Sequence, residues 1–116
     1  VEVQANSDNV LRGGLTSKHV DVPELVRVLS FTSLEDPRVL AEADGRYPVP
    51  VDEFTVHRVE NTTTSVAHGA PHIIVCVAGT VTAGDDTVLR SGEAGWVPAS
   101  DPATELAVDG AAMIVS

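Results

Sequence analysis

The polar residues that could do chemistry crowd the first eighteen positions: Glu2, Gln4, Asp8, Asn9, Arg12 and Lys18. Carboxylates, a guanidinium and an amine in so short a span can hold an oxygen-rich anionic ligand and steady charge that develops on it. By itself a turn rich in Asn and Asp is only a turn, and strand-borne Glu and Arg are commonly solvated. Two features favour chemistry. Arg12 precedes Gly13-Gly14, where missing side chains permit close approach by a ligand. Lys18 is the only lysine in the chain. An arginine fork beside open backbone suits a sugar oxyanion or a phosphate, because it donates two parallel bonds.

Local structure must gather these groups. Val1, Val3 and Ala5 alternate with Glu2 and Gln4, which predicts a half-buried strand over residues 1–5. Asn6 to Asn9 is a turn cluster, and Val10 to Arg12 resumes extended structure before Gly13-Gly14 breaks it. If residues 7–9 form the loop of a hairpin, Gln4 faces Arg12 and Glu2 shares that face. A two-residue loop places Arg12 opposite Ala5 instead. Asp21 then reads as a helix N-cap, with Pro23 in the first turn and Glu24 at capping-box spacing. The helix is expected over residues 22–29, with Leu25, Val28 and Leu29 facing inward.

From Phe31 to Pro50 there is little periodicity, and Pro37, Gly45, Pro48 and Pro50 mark a connecting segment. The remainder reads as short strands near 53–60, 62–67, 72–78, 80–83, 86–90, 94–97, 104–108 and 111–115. Turn signals separate them, among them Ser91-Gly92 and Asp109-Gly110. Many short strands at close spacing predict a mainly β fold, a sandwich or jelly roll, with one short helix near the N-terminus. The expected division is a motif-dense piece over 1–30, a connector over 31–46 and a β domain over 47–116. A β domain of that size is marginal alone, since small domains bury only about 60% of their unfolded surface.

Bulk properties narrow the partners. The chain has 116 residues and a formal charge of −10 from 17 acidic and 7 basic residues. Such a surface repels phosphate backbones, so nucleic acid is not an expected partner. No apolar run approaches the ~20 residues that a bilayer requires. The opening residues show neither a basic segment nor an apolar stretch, so no signal peptide is visible. The single cysteine, Cys76, lies in the apolar run IIVCVAG and is expected to be a buried, inert thiol. These features fit a cytoplasmic protein. The lack of an initiator Met leads to the expectation of a piece of a longer polypeptide.

The segment VEVQANSDNVLRGGLTSKHVDVPELVRVL closely resembles type I phosphomannose isomerases, whose pattern reads E-x-M-A-x-SDNV-x-RAG-x-TPK-x-x-DV-x-x-L. The likeness spans a quarter of the chain. Gly13 stands where the pattern has Ala, and Ser17 where it has Pro. The resemblance implies an enzyme that interconverts mannose 6-phosphate and fructose 6-phosphate, moving a proton between C1 and C2 through an enediol beside a bound zinc. It implies that Arg12 is the active-site arginine and that Glu2, Asp8 and Lys18 are substrate-binding residues. The family's zinc ligands, a Gln, a Glu and two His, lie upstream of the matched pattern. The resemblance therefore implies zinc in the full-length parent and none on this chain. It also implies the upstream part of the same polypeptide as a partner, and a fragment that is inactive by itself.

A second likeness covers HIIVCVAGTVTAGDDTVLRSGEAGWVPAS, which is similar to the C-terminal cupin-like barrel of the same family. The implied fold is a cupin-like jelly-roll or β-sandwich barrel with no metal at its centre, because the His-x-His pair of metal-binding cupins is missing. Of the four histidines, His19, His57, His68 and His72, the last two are four apart, but Gly69, Ala70 and Pro71 between them prevent a helix. They are expected to be ordinary exposed loop and strand residues, and His57 a partly exposed strand residue. Trp96 is expected to be a core or interface anchor more than a sugar platform. The competing function is a non-catalytic, cupin-like sugar-binding or oligomerisation module. The pattern over residues 1–29 separates the two, because a pure binding module has no use for it.

Overall fold

The computed structural model describes residues 2–4, 10–84 and 86–116. The chain divides into two compact units, residues 1–38 and 39–116, each with its own architecture.

The first unit is organised by one short helix, α1 (Val22–Val28). The Asp21 carboxylate accepts the Glu24 N–H at 3.0 Å, which satisfies one of the orphan donors of the first turn. Pro23 sits in that turn, where its missing N–H costs nothing. The Glu24 side chain does not reach back to complete a capping box. It turns toward Arg27, whose Nε donates to Oε2 at 2.6 Å. Of the three residues expected to face inward, Leu25 alone is half-buried, while Val28 and Leu29 remain 52% and 48% exposed. A helix of two turns presents only a narrow stripe, and here that stripe is Leu25.

Two expectations for this unit are corrected. Residues 2–4 and 10–12 have irregular backbone, not strand. A strand exists only through a ladder partner, and periodicity cannot supply one. The loop over 7–9, on which the hairpin parity depends, lies outside the described residues.

The second unit is built on one five-stranded antiparallel sheet. Its strands are β1 (Val56–Val66), β2 (His72–Ala83), β3 (Thr87–Arg90), β4 (Ala94–Val97) and β5 (Thr104–Val115). β5 runs between β1 and β2. The far side of β2 is shared end to end: β3 pairs with residues 80–83 and β4 with residues 72–75. Between them the chain steps out over 91–93, held by Gly92 N–H to Cys76 O at 2.8 Å and Cys76 N–H to Glu93 O at 2.9 Å. Ser91 Oγ adds a bond to Val77 O at 2.9 Å.

The eight short strands expected from the turn signals are five, because three pairs fuse. Residues 53–60 and 62–67 join through Asn61, 72–78 and 80–83 through Gly79, and 104–108 and 111–115 through Asp109-Gly110. Each of these three expected breaks is a bend within a continuing strand. Asn61, Gly79 and Gly110 all have positive φ, at 46°, 73° and 117°. Gly79 and Gly110 are register partners. A Cβ on Gly79 would lie 1.9 Å from Asp109 O, and one on Gly110 would lie 2.2 Å from Ala78 O. Only glycine allows the two backbones to pass so closely.

The core lies on one face of this bent sheet. Val66, Ile74, Cys76, Val81, Leu89, Leu106, Val108, Ala112 and Ile114 form a single cluster. On β2 the inward residues are Ile74, Cys76 and then Val81, an odd step that strict alternation forbids. The register shift between Cys76 and Ala78 absorbs the extra residue. Cys76 is fully buried, as its apolar surroundings in the sequence imply, with Sγ 3.4 Å from Gly79 O.

Candidate functional site

The site is anchored on Arg12. Its carbonyl accepts the Asp21 N–H at 3.2 Å, so the residue that caps α1 also ties Arg12 to the helix. The segment 12–21 is thereby closed into a loop, and Lys18 lies within it. Arg12 is half-buried, and its Nη1 donates to Val10 O at 3.1 Å. A guanidinium has five donors in a rigid fork and can serve several acceptors at once.

The glycines beside Arg12 do different work. An added Cβ on Gly13 would lie 2.9 Å from Leu25 Cδ2, so Gly13 lets the helix side chain close on the loop. Gly14 has φ 156° and nothing within 4 Å of where a Cβ would stand. The open backbone expected beside Arg12 is therefore Gly14, while Gly13 is occupied by packing. Leu15 follows with φ 55° and a fully exposed side chain. A branched apolar residue in the left-handed region is strained, and such strain clusters at ligand-binding loops. No periodicity or composition signal points to Leu15; a non-glycine after two glycines is read simply as the resumption of chain.

Glu2 and Gln4 are exposed. Lys18 is also exposed, and its backbone N–H bonds to Thr16 Oγ1 at 3.1 Å, which turns the loop without using the ammonium. Asp8 and Asn9 lie outside the described residues. Lys18 and Arg12 are thus placed on one closed loop.

The histidines are engaged in the β unit. His68 is exposed, as expected for a loop residue, and its Nδ1 donates to Asp101 O at 2.9 Å. His57 is half-buried on β1. His72 departs from expectation, being only 6% exposed. Its Nε2 lies 3.1 Å from Ala67 O and its Nδ1 2.7 Å from Ser116 Oγ. A carbonyl can only accept, so Nε2 carries the proton and Nδ1 accepts from the hydroxyl. This ring fastens the end of β5 to the β1–β2 turn, a role that sequence spacing does not reveal. Among the described residues no three His, Cys, Asp or Glu side chains converge as a metal would require. These residues do not fit a resident zinc.

Trp96 is not a core residue. It is 61% exposed on β4, where it pairs with Ile73 on the sheet face opposite the core. Ile74 and Gly95, the neighbouring pair, point the other way. No helix among the described residues is long and apolar enough to cross a membrane.

No protein-family model matches the chain. Individual proteins do. The chain is 34% identical over 111 residues to mannose-6-phosphate isomerase of Escherichia coli, covering 87% of this chain and 28% of that protein. It is 38% identical over 105 residues to mannose-6-phosphate isomerase of Bos taurus, covering 75% of this chain and 24% of that protein. Among solved structures it superposes on mannose 6-phosphate isomerase from Salmonella typhimurium bound to fructose 6-phosphate and zinc, with TM-score 0.68 and 32% identity over 97% of this chain and 31% of that one. These relatives have the cupin fold, and the mainly β architecture described above agrees with it. The chain spans under a third of the length of the curated relatives it matches. In sequence and in fold, it is homologous to the C-terminal portion of mannose-6-phosphate isomerases.

Proposed function

We propose that this chain is the C-terminal portion of a zinc-dependent mannose-6-phosphate isomerase, an aldose-ketose isomerase of the cytoplasm. Arg12 is its catalytic residue, and Glu2, Asp8 and Lys18 are its substrate-binding residues. The observation that carries this reading is the superposition of 97% of the chain on an isomerase structure that holds fructose 6-phosphate and zinc. Carbohydrate chemistry on a sugar phosphate requires groups that bind an anion and stabilise an oxyanion. The closed loop over 12–21 offers both a guanidinium and an ammonium.

In the isomerisation a proton leaves C2 of mannose 6-phosphate and returns at C1, through an enediolate whose oxygens carry negative charge. Arg12 stabilises that charge by charge-assisted hydrogen bonds made strongest when the charge is fully developed. Among the described residues no three His, Cys, Asp or Glu side chains are grouped to hold a metal ion. By the resemblance, the residues that would hold the zinc of the longer isomerase lie upstream of the segment matched by residues 1–29. The lone buried thiol of Cys76 supports a reducing, cytoplasmic setting.

The test uses the full-length isomerase. Arg12→Ala there should lower kcat by about 100- to 1000-fold, the usual cost of losing one oxyanion donor, with little change in KM. Unchanged turnover removes the assignment. The 116-residue chain alone should give no turnover in a coupled assay; robust activity would show that the chain carries a whole site.

A further inference from the structure

β1 ends the sheet. It pairs with β5 on one side, and on the other it takes main-chain bonds only at its beginning among the described residues. Val56 O accepts from Tyr47 N–H at 2.9 Å, and Arg58 N–H donates to Gly45 O at 2.8 Å. From Glu60 to Val66 no described residue bonds to that edge. An edge of this kind is a ready template for another extended chain, and proteins commonly blunt it with lysine, proline or a covering segment. Here it carries Thr62, Thr63, Thr64 and Ser65, which have high or neutral strand preference and no charge to repel a partner.

A groove runs along this edge. Its volume is about 580 Å³, and its walls are the turn over residues 41–45 on one side and Arg58 to Thr64 on the other. The walls are acidic. Glu42, Asp44 and Glu60 contribute carboxylates against the single guanidinium of Arg58. That guanidinium is already paired with Glu60, and the pairing holds it firmly charged. The groove thus presents the carboxylates of Glu42 and Asp44, neither in an ion pair among the described residues, although Asp44 Oδ1 accepts the Arg46 N–H at 3.0 Å, beside strand backbone that no described residue pairs.

We infer that this edge of β1 is a docking site for an extended, lysine- or arginine-bearing polypeptide segment, which adds as a strand beside residues 60–66. Main-chain bonds to the edge supply affinity, and alternate side chains reaching over the turn at 41–45 meet its carboxylates. An edge of seven residues spans roughly 23 Å, so a heptapeptide is the natural probe. This inference does not depend on the catalytic reading, since it uses no residue of the loop over 12–21.

The experiment is a backbone-amide NMR titration of the full 116-residue chain with a blocked heptapeptide that alternates lysine and valine. Three further arms accompany it: a glutamate–valine peptide, the lysine–valine peptide N-methylated along its central residues, and the Glu42→Lys chain. The expected result is shifted amides at 42–45 and 60–66, at least tenfold weaker binding of the glutamate peptide, and no binding of the N-methylated one. Glu42→Lys, whose own spectrum reports its fold, should weaken the lysine peptide several-fold. Shifts confined to other residues overturn the proposal. Equal binding of the N-methylated peptide overturns it too, because charge alone then explains the contact. Concentration-dependent shifts at 60–66 without peptide overturn it in favour of a second copy of this chain.

Discussion

The side-chain oxygen Oδ1 of Asn61 accepts the backbone N–H of Gly110 at 2.9 Å, across the gap where β1 and β5 lose register. Asn61 has φ 46°, and Gly110 stands opposite Gly79 on β2. One bend therefore crosses three adjacent strands at the same level. Asparagine suits the outer position because it tolerates the left-handed region and carries its own acceptor.

Asn61→Ala should destabilise the chain by about 1–3 kcal/mol, from strain at positive φ and an unmet N–H. Asn61→Gly should recover the part due to backbone and retain the part due to the lost acceptor. Urea unfolding of the two variants separates these contributions. Equal stability of both variants and the parent would remove Asn61 from the bend.

Gly79→Ala and Gly110→Ala should each be more damaging than a typical surface change. The left-handed conformation alone costs about 1–3 kcal/mol for a side-chain-bearing residue. The neighbouring carbonyl, 1.9 Å or 2.2 Å from the new Cβ, adds a clash that a small rotamer change cannot relieve. Because both residues serve one contact, the double variant should lose less than the sum of the singles. Thermal unfolding of the three variants checks this.

His72→Phe keeps an aromatic ring, slightly larger than the imidazole, and removes both of its hydrogen bonds. The carbonyl of Ala67 and the hydroxyl of Ser116 then lose their partners, at about 1–3 kcal/mol in all. The loss should show first as faster amide exchange at Thr55 and Ser116, which bond to each other through both backbone groups at 2.8 and 3.1 Å. Unchanged exchange there would mean that the ring does not fasten this end of the sheet.

Helix α1 should respond to acid. The hydrogen bond from Arg27 holds the Glu24 carboxylate below its ordinary value of 4.5. A lowered folded-state value means that the stabilisation is complete above 4.5 and is lost as pH falls through the lowered value. Both groups are solvent-exposed, so the effect is local fraying and not global unfolding. The NMR signals of residues 22–28 should shift toward random coil below pH 4.5, and in Glu24→Gln the share of that pH dependence that the Arg27 pair carries should vanish.

How much of this was legible in the sequence follows from which interactions are local. Asp21, Pro23 and Glu24 announce the helix because a cap is made within four residues. Its inward face was less legible, because Val28 and Leu29 are apolar without having anything to cover them here. Ile74, Cys76, Leu106 and Val108 announce strands through alternation. The same alternation could not show that Asp109-Gly110 is a bend, because turns and bulges use the same residues and differ only in what lies across the sheet. His72 looked like a surface residue because its partners, Ala67 and Ser116, are close only in the folded sheet. Trp96 read as a core or interface anchor because large aromatics are usually covered; β4 presents it on the outer face, which removes the core alternative alone. At the candidate site, the Arg12 and Gly14 neighbourhood could be singled out from residue types, but the tie from Asp21 to Arg12 is a contact across nine positions and carries no composition signal.

The odd step on β2 gives one residue an unusual kind of leverage. Val77 sits inside the register shift, and its side chain is 46% exposed. Deleting it would restore unbroken alternation from Ile74 onward. Val81 would then lie an even step from Cys76 and stay on the buried face, so the inward side of the strand would be kept while the bulge was lost. A single omitted codon at this point would cost the sheet its local kink and leave the side chains beyond it on their present faces.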